Sequence, residues 1–182
     1  MAEKKEKKRG MIHLYAGDGK GKTTAATGLT VRAAGRDWRV LFVQFLKSGN
    51  SAELKILRSL PTVKVVTGQK VNKFSFHMTA EEKETARNEF RERLEAARAA
   101  AEAGEVDLLV LDEALGTIQA GLLDEDQLYE FMAEKPEALE LVITGRDPSP
   151  RIIELADYYS EICERKHPYR SFGLNARPGI EF

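Results

Sequence analysis

A loop rich in glycine and lysine near the N-terminus constrains the fold of this sequence more than any other feature. It follows an apolar run at 11–15 and precedes a run at 23–34 whose small and apolar residues predict a helix. The loop reads Gly17-Asp18-Gly19-Lys20-Gly21-Lys22-Thr23-Thr24. Such a loop between a strand and a helix binds phosphate, because its backbone N–H groups converge on the phosphate oxygens and the helix N-terminus adds positive potential. We therefore predict that these eight residues bind a nucleoside triphosphate.

Particular side chains of the loop are expected to contribute charge and metal ligation. Lys22 brings a positive charge to the phosphates and is expected to face solvent without nucleotide, and Thr23 offers a hydroxyl to Mg²⁺. One position departs from the usual pattern G-x-x-x-x-G-K-[ST], because Ala16 stands five residues before Gly21 where the pattern has glycine. A chance turn is the alternative. The strand before, the helix after and the intact Gly-Lys-Thr sequence favour the phosphate site.

A second apolar run, at 106–111, leads directly into Asp112 and Glu113. A buried strand that ends in acids is typical of the Walker B arrangement, in which a carboxylate holds Mg²⁺ directly or through water. We predict that Asp112 and Glu113 share this metal site with Thr23. The alternative is that the acids only cap the next helix.

The order of the elements indicates an α/β fold. Strands are predicted at 11–15, 39–45, 63–67, 106–111, 139–144 and 158–163. Helices are predicted at 23–34, 51–60, 79–103, 124–133 and 150–156, with a capping box at Thr79 and Glu82. Apolar strands alternating with helices predict a P-loop NTPase-like (RecA-like) fold, whose mostly parallel sheet of about six strands has helices on both faces. Ligands then bind at the carboxyl ends of the strands.

Length, charge and cysteine content bound the rest. The chain has 182 residues, so we predict a single domain at 11–182 preceded by a flexible charged arm at 1–10. The net charge is −1, and no apolar run approaches the length of a membrane span. We therefore expect neither a nucleic-acid partner nor a membrane partner. A cytoplasmic location is expected. The single cysteine, Cys163, excludes an internal disulfide and is predicted to be a small core residue.

Several short motifs are spread along the chain from residue 11 to its end. They are the loop at 16–26, Val43-Gln44-Phe45, Leu111-Asp112-Glu113, Thr144-Gly145-Arg146, Glu154-Leu155-Ala156-Asp157, Lys166-His167-Pro168 and Gly179-Ile180-Glu181-Phe182. In this order and combination they resemble the P-loop type of ATP:corrinoid adenosyltransferases, which adenosylate cobalamin or cobyrinic acid a,c-diamide. The loop alone is shared with many NTPases, whereas the motifs near the C-terminus are more specific.

The resemblance implies a reaction and the groups that assist it. The 5′-deoxyadenosyl group of ATP passes to the Co(I) of a corrinoid and triphosphate leaves, in adenosylcobalamin synthesis or salvage. Cobalt is the nucleophile, so the protein needs no general base and mainly positions its substrates. Lys22 and Arg146 are the implied catalytic residues, because they stabilise charge on the leaving triphosphate. The family also binds ATP reversed, with the γ-phosphate deep in the loop.

The resemblance further implies a hydrophobic wedge that displaces the lower axial ligand of the corrinoid. The segment 74–78 lies where the wedge is expected, so Phe76 and Met78 are the predicted corrinoid contacts. His167 and Gln44 are further predicted contacts, and Glu53 is expected near the open side of the sheet. The alternatives are that Phe74 and Phe76 are core residues of one strand face, and that His167 only shapes a turn.

The family is typically homodimeric, and reduction of cobalt implies a flavoprotein reductase as a partner. Two other functions stay open from the residues themselves. An ATP-hydrolysing P-loop protein would use Glu113 to position water, and a non-catalytic module would bind ATP or corrinoid as a sensor.

Overall fold

The computed structural model describes residues 9–46, 51–68 and 77–181. Within these residues the strands are β1 (Ile12–Ala16), β2 (Val40–Gln44), β3 (Val63–Thr67), β4 (Leu108–Asp112), β5 (Glu140–Gly145) and β6 (Tyr158–Glu161). The helices are α1 (Lys22–Ala34), α2 (Ala52–Leu57), α3 (Ala80–Glu102), α4 (Ala114–Gln119), α5 (Glu125–Glu134), α6 (Pro150–Leu155) and α7 (Pro168–Phe172).

The strands of the described residues form a single sheet in the order β3-β2-β4-β5-β1-β6. Every neighbouring pair is parallel, which confirms the predicted α/β fold with a parallel sheet. The carboxyl ends of all strands therefore share one edge. At that edge β1 leads into the glycine-rich loop and β4 ends in Asp112, with β5 between them.

Alternate side chains of the strands pack into separate hydrophobic layers. On one face Leu109 and Leu111 of β4 belong to a core that includes buried residues of α3, α4, α5 and α6. On the other face Leu108 and Val110 belong to a core with buried residues of α1 and α2. All residues of β4 are buried, which explains why this strand is apolar without alternation. Helices cover both faces of the sheet, as predicted.

The helix α3 follows its sequence pattern closely. Its capping box is formed, because the Thr79 hydroxyl accepts from the Glu82 N–H at 3.1 Å and the Glu82 carboxylate accepts from the Thr79 N–H at 2.8 Å. The predicted apolar face is buried and consists of Ala86, Phe90, Leu94, Ala97 and Ala101. Over the described part of the chain, no helix has both the length and the apolar character needed to cross a membrane.

The sequence prediction misses α4 and α7, and it extends the sixth strand two residues beyond the end of β6 at Glu161. The two helices have six and five residues, too short for a helical period to be recognised. All four residues of β6 are exposed, unlike those of β3 at the other edge of the sheet, which are buried or partly buried except Lys64. Cys163, two residues beyond β6, is exposed, so its prediction as a core residue is wrong.

Candidate active site

The glycines of the loop are explained by its backbone. Gly17 and Gly21 have φ values of 119° and 122°, which residues with side chains rarely adopt. A Cβ at Gly17 would lie 2.5 Å from the carbonyl oxygen of Ile162, and a Cβ at Gly19 would lie 2.7 Å from it. The Gly19 N–H donates to the same carbonyl at 2.7 Å. The segment after β6 thus packs directly against the loop, and its close approach requires glycine at both positions.

Asp18 fixes the loop to the same segment. Its Oδ1 accepts a hydrogen bond from the Glu164 N–H at 2.8 Å. This bond is the main reason that the pKa of Asp18 lies below its ordinary value. Glu164 is itself paired with Arg170 of α7 at 2.6 Å. Asp18 therefore supports the shape of the loop as well as lining the cavity above it.

Lys22 is folded into the loop. Its side chain is buried, with 7% of the residue exposed, so the expectation of a solvent-facing lysine is wrong. The Nζ atom donates to the carbonyl oxygens of Gly17 and Gly19, both at 2.8 Å. These carbonyls hold the ammonium group at the centre of the loop, where the loop residues 18–24 surround the same cavity.

Asp112 is the centre of a buried hydrogen-bond network. Its Oδ1 accepts from the hydroxyls of Thr23 and Thr144, each at 2.8 Å. Its Oδ2 accepts from the Gln44 amide nitrogen at 3.1 Å. A fully buried carboxylate requires such donors, because burial of an unpartnered charge is costly. The network brings Thr23 and Asp112 together, as the metal-site prediction requires.

Thr144 also shapes the start of α4. Its Oγ1 accepts from the Glu113 N–H at 2.9 Å, and Glu113 has a left-handed backbone with φ of 62°. Gly145 has φ of 150°, and a Cβ there would lie 2.5 Å from Leu115 Cβ. The threonine therefore links β5 to Asp112 and to α4, and the glycine lets α4 pack closely on the strand end. The sequence analysis identified the Thr-Gly-Arg motif without assigning a role to this hydroxyl.

These elements enclose a cavity of about 250 Å³ over the loop. Of the predicted residues outside the loop, it is lined by Glu113, Arg146 and His167. His167 has the extended backbone expected before proline, and its Nδ1 accepts from the Tyr169 N–H at 3.2 Å. That bond leaves Nε2 as the ring nitrogen that carries the proton in the neutral side chain. Lys22 and Arg146 thus line one cavity.

The C-terminal segment closes one side of this cavity. Glu181 accepts a hydrogen bond from Lys20 of the loop at 2.9 Å. It also accepts from the side chain of Arg177 at 3.2 Å. The bonds from Arg177, followed by the bond from Lys20, lower the pKa of Glu181 to about 2. Sequence reasoning quoted the terminal motif but did not predict that Ile180 and Glu181 line the site.

A second cavity, of about 240 Å³, adjoins the first. The two have Thr23, Thr24, Ile180 and Glu181 in common. The second is also lined by Thr27, Ala52, Glu53 and Gly179. The Thr27 hydroxyl is buried and has no hydrogen-bond partner among the described residues. The cavity therefore combines the carboxylate of Glu53 with hydroxyls and the apolar side chain of Ile180.

The predicted corrinoid contacts are dispersed. Phe76 lies outside the described residues. Met78 is partly buried and packs against the core beside α3. Gln44 is fully buried and so offers no exposed surface to a corrinoid in this conformation, although His167 lines the phosphate-loop cavity. The assignments of Phe76, Met78, His167 and Gln44 as corrinoid contacts remain predictions.

The oxygen atoms at Thr23 and Asp112 fit a magnesium site. A hydroxyl and a carboxylate oxygen lie 2.8 Å apart at the end of the phosphate loop, and Glu113 lines the same cavity. Mg²⁺ prefers oxygen ligands and is usually held by one or two carboxylates together with substrate phosphates. Thr23 and Asp112 are the residues that would hold it.

Comparison with known proteins gives a consistent result. Residues 8–182 match the profile of the family described as ATP:corrinoid adenosyltransferase BtuR/CobO/CobP. A corrinoid adenosyltransferase of Pseudomonas aeruginosa is 30% identical over 182 residues, covering 96% of this chain and 84% of the relative. One of Escherichia coli strain K12 is 32% identical over 177 residues, covering 96% and 86%. Corrinoid adenosyltransferase CobA of Salmonella typhimurium is 29% identical, covering 97% and 88%.

Among solved structures, the chain is similar to EssC (ATPases 2 and 3) from Geobacillus thermodenitrificans, with a TM-score of 0.49 and 15% identity. The match covers 92% of this chain and 35% of that one, so the chain spans about a third of the solved protein.

Proposed function

Because this chain belongs to the ATP:corrinoid adenosyltransferase family, we propose that it transfers the 5′-deoxyadenosyl group of ATP to the Co(I) of a corrinoid and releases triphosphate. It is an enzyme whose substrates are ATP and a corrinoid. The finer parts of the proposal are the position of the nucleotide, the groups that stabilise the leaving triphosphate, and the metal ligands.

The observation that carries the proposal is the pair of adjoining cavities. The first is lined by the phosphate loop, Lys22 and Arg146, and the loop N–H groups together with these two cations suit a triphosphate. The second carries Glu53 and the partnerless hydroxyl of Thr27, which suit the hydroxyls of a ribose. A nucleotide across both cavities has its C5′ atom near their common residues Thr23 and Thr24. The C5′–O bond to be broken then lies between the cavity proposed for the triphosphate and the cavity proposed for the nucleoside.

For this reaction the protein must stabilise the negative charge on the leaving triphosphate and hold the C5′ atom in line with Co(I). The electron pair of Co(I) forms the Co–C5′ bond, and the pair of the C5′–O bond leaves with triphosphate. No proton is transferred in this step. Lys22 exchanges its loop carbonyl acceptors for phosphate oxygens, and Arg146 approaches the same phosphates from the end of β5. Both cations, with the N-terminus of α1, stabilise the negative charge that grows on the leaving group.

Thr23, Asp112 and Glu113 are proposed to hold Mg²⁺, each acid directly or through water. The ion, when bound, neutralises phosphate charge and orients the triphosphate. The protein holds the Asp112 carboxylate so that its Oδ1 atom lies beside Thr23. The hydroxyl of Thr144, on the neighbouring strand β5, donates to the same oxygen and helps to fix it.

The corrinoid is proposed to approach the open edge of the sheet above the nucleotide. Phe76, Met78 and His167 are the proposed contacts, and the first two supply the hydrophobic wedge. The substrate must reach Co(I) before transfer, so an electron donor such as a flavoprotein reductase is a proposed partner. A homodimer is proposed for the assembly.

Product analysis tests the function directly. The protein is incubated with Mg²⁺, ATP and chemically reduced cobalamin, and the products are separated by chromatography. We expect adenosylcobalamin and intact triphosphate in equal amounts. ADP and phosphate in place of these products would identify a hydrolase, and binding of both substrates without turnover would identify a sensor. Lys22→Ala is the matched negative control.

A further inference from the structure

Gln44 is a buried amide at the end of β2. None of its surface is exposed, although glutamine is a residue type that is mostly exposed in proteins. The register of the sheet puts Gln44 beside Asp112 of β4, and its Nε2 donates to Asp112 Oδ2 at 3.1 Å. Burial of an amide costs free energy unless its atoms are hydrogen-bonded, so this position requires an explanation.

The orientation of the amide follows from its neighbour. The carboxylate of Asp112 accepts hydrogen bonds and does not donate them when ionised, so the nitrogen of the amide must face it. The Oε1 atom consequently points elsewhere, and it is buried without a partner among the described residues. The Nε2 atom of Gln44 is therefore hydrogen-bonded to the carboxylate proposed to bind metal. Its Oε1 atom has no hydrogen-bond partner among the described residues.

The backbone of Gln44 is itself held from the helix layer. Arg93 of α3 donates from Nη1 to the carbonyl oxygens of Gln44 and Phe45, at 3.1 and 3.3 Å. Its guanidinium lies 5.0 Å from the centre of the Phe90 ring, and burial lowers its pKa. A rotation at the end of β2 would break these bonds, so the position from which the amide reaches Asp112 is fixed.

We propose that Gln44 is a positioning residue for the Asp112 carboxylate, whose Oδ2 its amide nitrogen holds in place for binding of the magnesium–nucleotide complex. With Gln44 on Oδ2 and with Thr144 and Thr23 on Oδ1, the carboxylate has a single orientation. This role is an alternative to the corrinoid contact predicted for Gln44 from sequence, and it agrees with the full burial of the side chain. The inference rests on the proposed function, because it takes Mg·ATP as the ligand.

The test measures nucleotide binding in the absence of corrinoid. Titration calorimetry on the full chain compares ATP with Mg²⁺ and ATP with EDTA for wild type and Gln44→Met, which keeps similar volume and removes both amide atoms. We expect the Kd of ATP with Mg²⁺ to rise at least about tenfold, as is usual for loss of a residue that orients a metal ligand. The Kd measured in EDTA should change less than about twofold. Thr67→Val is the matched control, because Thr67 is the register partner of Gln44 on β3, and it should leave both constants unchanged.

A second variant keeps the inference testable if Gln44→Met does not fold, as checked by circular dichroism. Gln44→Asn keeps the amide and shortens the side chain by one methylene, so that its nitrogen no longer reaches Asp112 Oδ2. We expect the same selective loss, with the Kd of ATP with Mg²⁺ rising at least about tenfold and the Kd in EDTA changing less than about twofold.

Two results would overturn the inference. In one, both ATP affinities fall equally, which would mean that Gln44 supports the fold rather than the metal ligand. In the other, both stay at wild-type values while corrinoid binding or turnover is lost, which would restore the corrinoid contact. If wild type binds Mg·ATP but forms no adenosylcobalamin, the proposed function fails while this inference still stands or falls on binding alone.

Discussion

The hydroxyl of Thr144 offers a sharp test of how the site is held together. Thr144→Val replaces the hydroxyl with a methyl group of nearly the same shape. The change removes the hydrogen bond to Asp112 Oδ1 at 2.8 Å and the bond from the Glu113 N–H at 2.9 Å. Thr144 is fully buried, so water does not readily replace either bond.

The size of the effect follows from the kind of bonds lost. A hydrogen bond to a charged group contributes roughly 1.5–3 kcal/mol and a neutral one roughly 0.5–1.5 kcal/mol. We therefore expect the free energy of unfolding to fall by about 3 kcal/mol, which for a domain of this size lowers Tm by roughly 6–12 °C. Because the Asp112 carboxylate loses a donor, kcat/KM for ATP should fall by about 10- to 100-fold.

Thr144→Ser is the control, because it keeps the hydroxyl and removes only a methyl group. Its unfolding free energy should fall by about 1 kcal/mol, and its kcat/KM should stay near wild type. Urea unfolding and steady-state kinetics measure both quantities. Equal stability and equal activity of the two variants would show that the hydroxyl does not hold the carboxylate, and the role given to the network would be wrong.

Other substitutions test separate parts of the site. Lys22→Ala should reduce turnover by at least about 100-fold with an unchanged circular dichroism spectrum, and wild-type turnover would contradict its phosphate role. Glu53→Ala should raise the Kd of ATP by about tenfold but leave that of 2′,3′-dideoxy-ATP nearly unchanged; equal losses for the two nucleotides would place the ribose elsewhere. NMR titration should show a pKa of about 2 for Glu181. The ionised carboxylate therefore keeps its contacts with Lys20 and Arg177 at and above its ordinary pKa, and these contacts are lost as the pH falls through about 2. Arg177→Ala should move this pKa up towards 4.5, and a wild-type value already near 4.5 would show that the tail does not contact the loop.

The sheet and the long helices were predictable because their signals are local. The apolar strand of β4 and the amphipathic face and capping box of α3 repeat over enough residues to be recognised. The signals for α4 and α7 are not local. Glu113, the residue before α4, has a left-handed conformation, and its N–H donates to the hydroxyl of Thr144 from another strand. Exposure at β6 and at Cys163 depends on whether other elements pack on the two faces of the strand, which the strand sequence does not contain.

In the active site as well, some features are predictable from local sequence and others depend on the order of the strands. Residues at strand ends, such as Asp112 and Arg146, can be assigned to one edge from the parallel order alone. Their hydrogen-bond partners cannot, because β5 lies between β1 and β4 and only this order brings Thr144 to the carboxylate that Thr23 reaches from the loop. The same limit explains Gln44. Its motif indicated a functional residue, but only the register between β2 and β4 shows that its amide faces Asp112 rather than a substrate. Sequence therefore located the functional residues, whereas the geometry of the sheet decides which of them act on substrate and which act on one another.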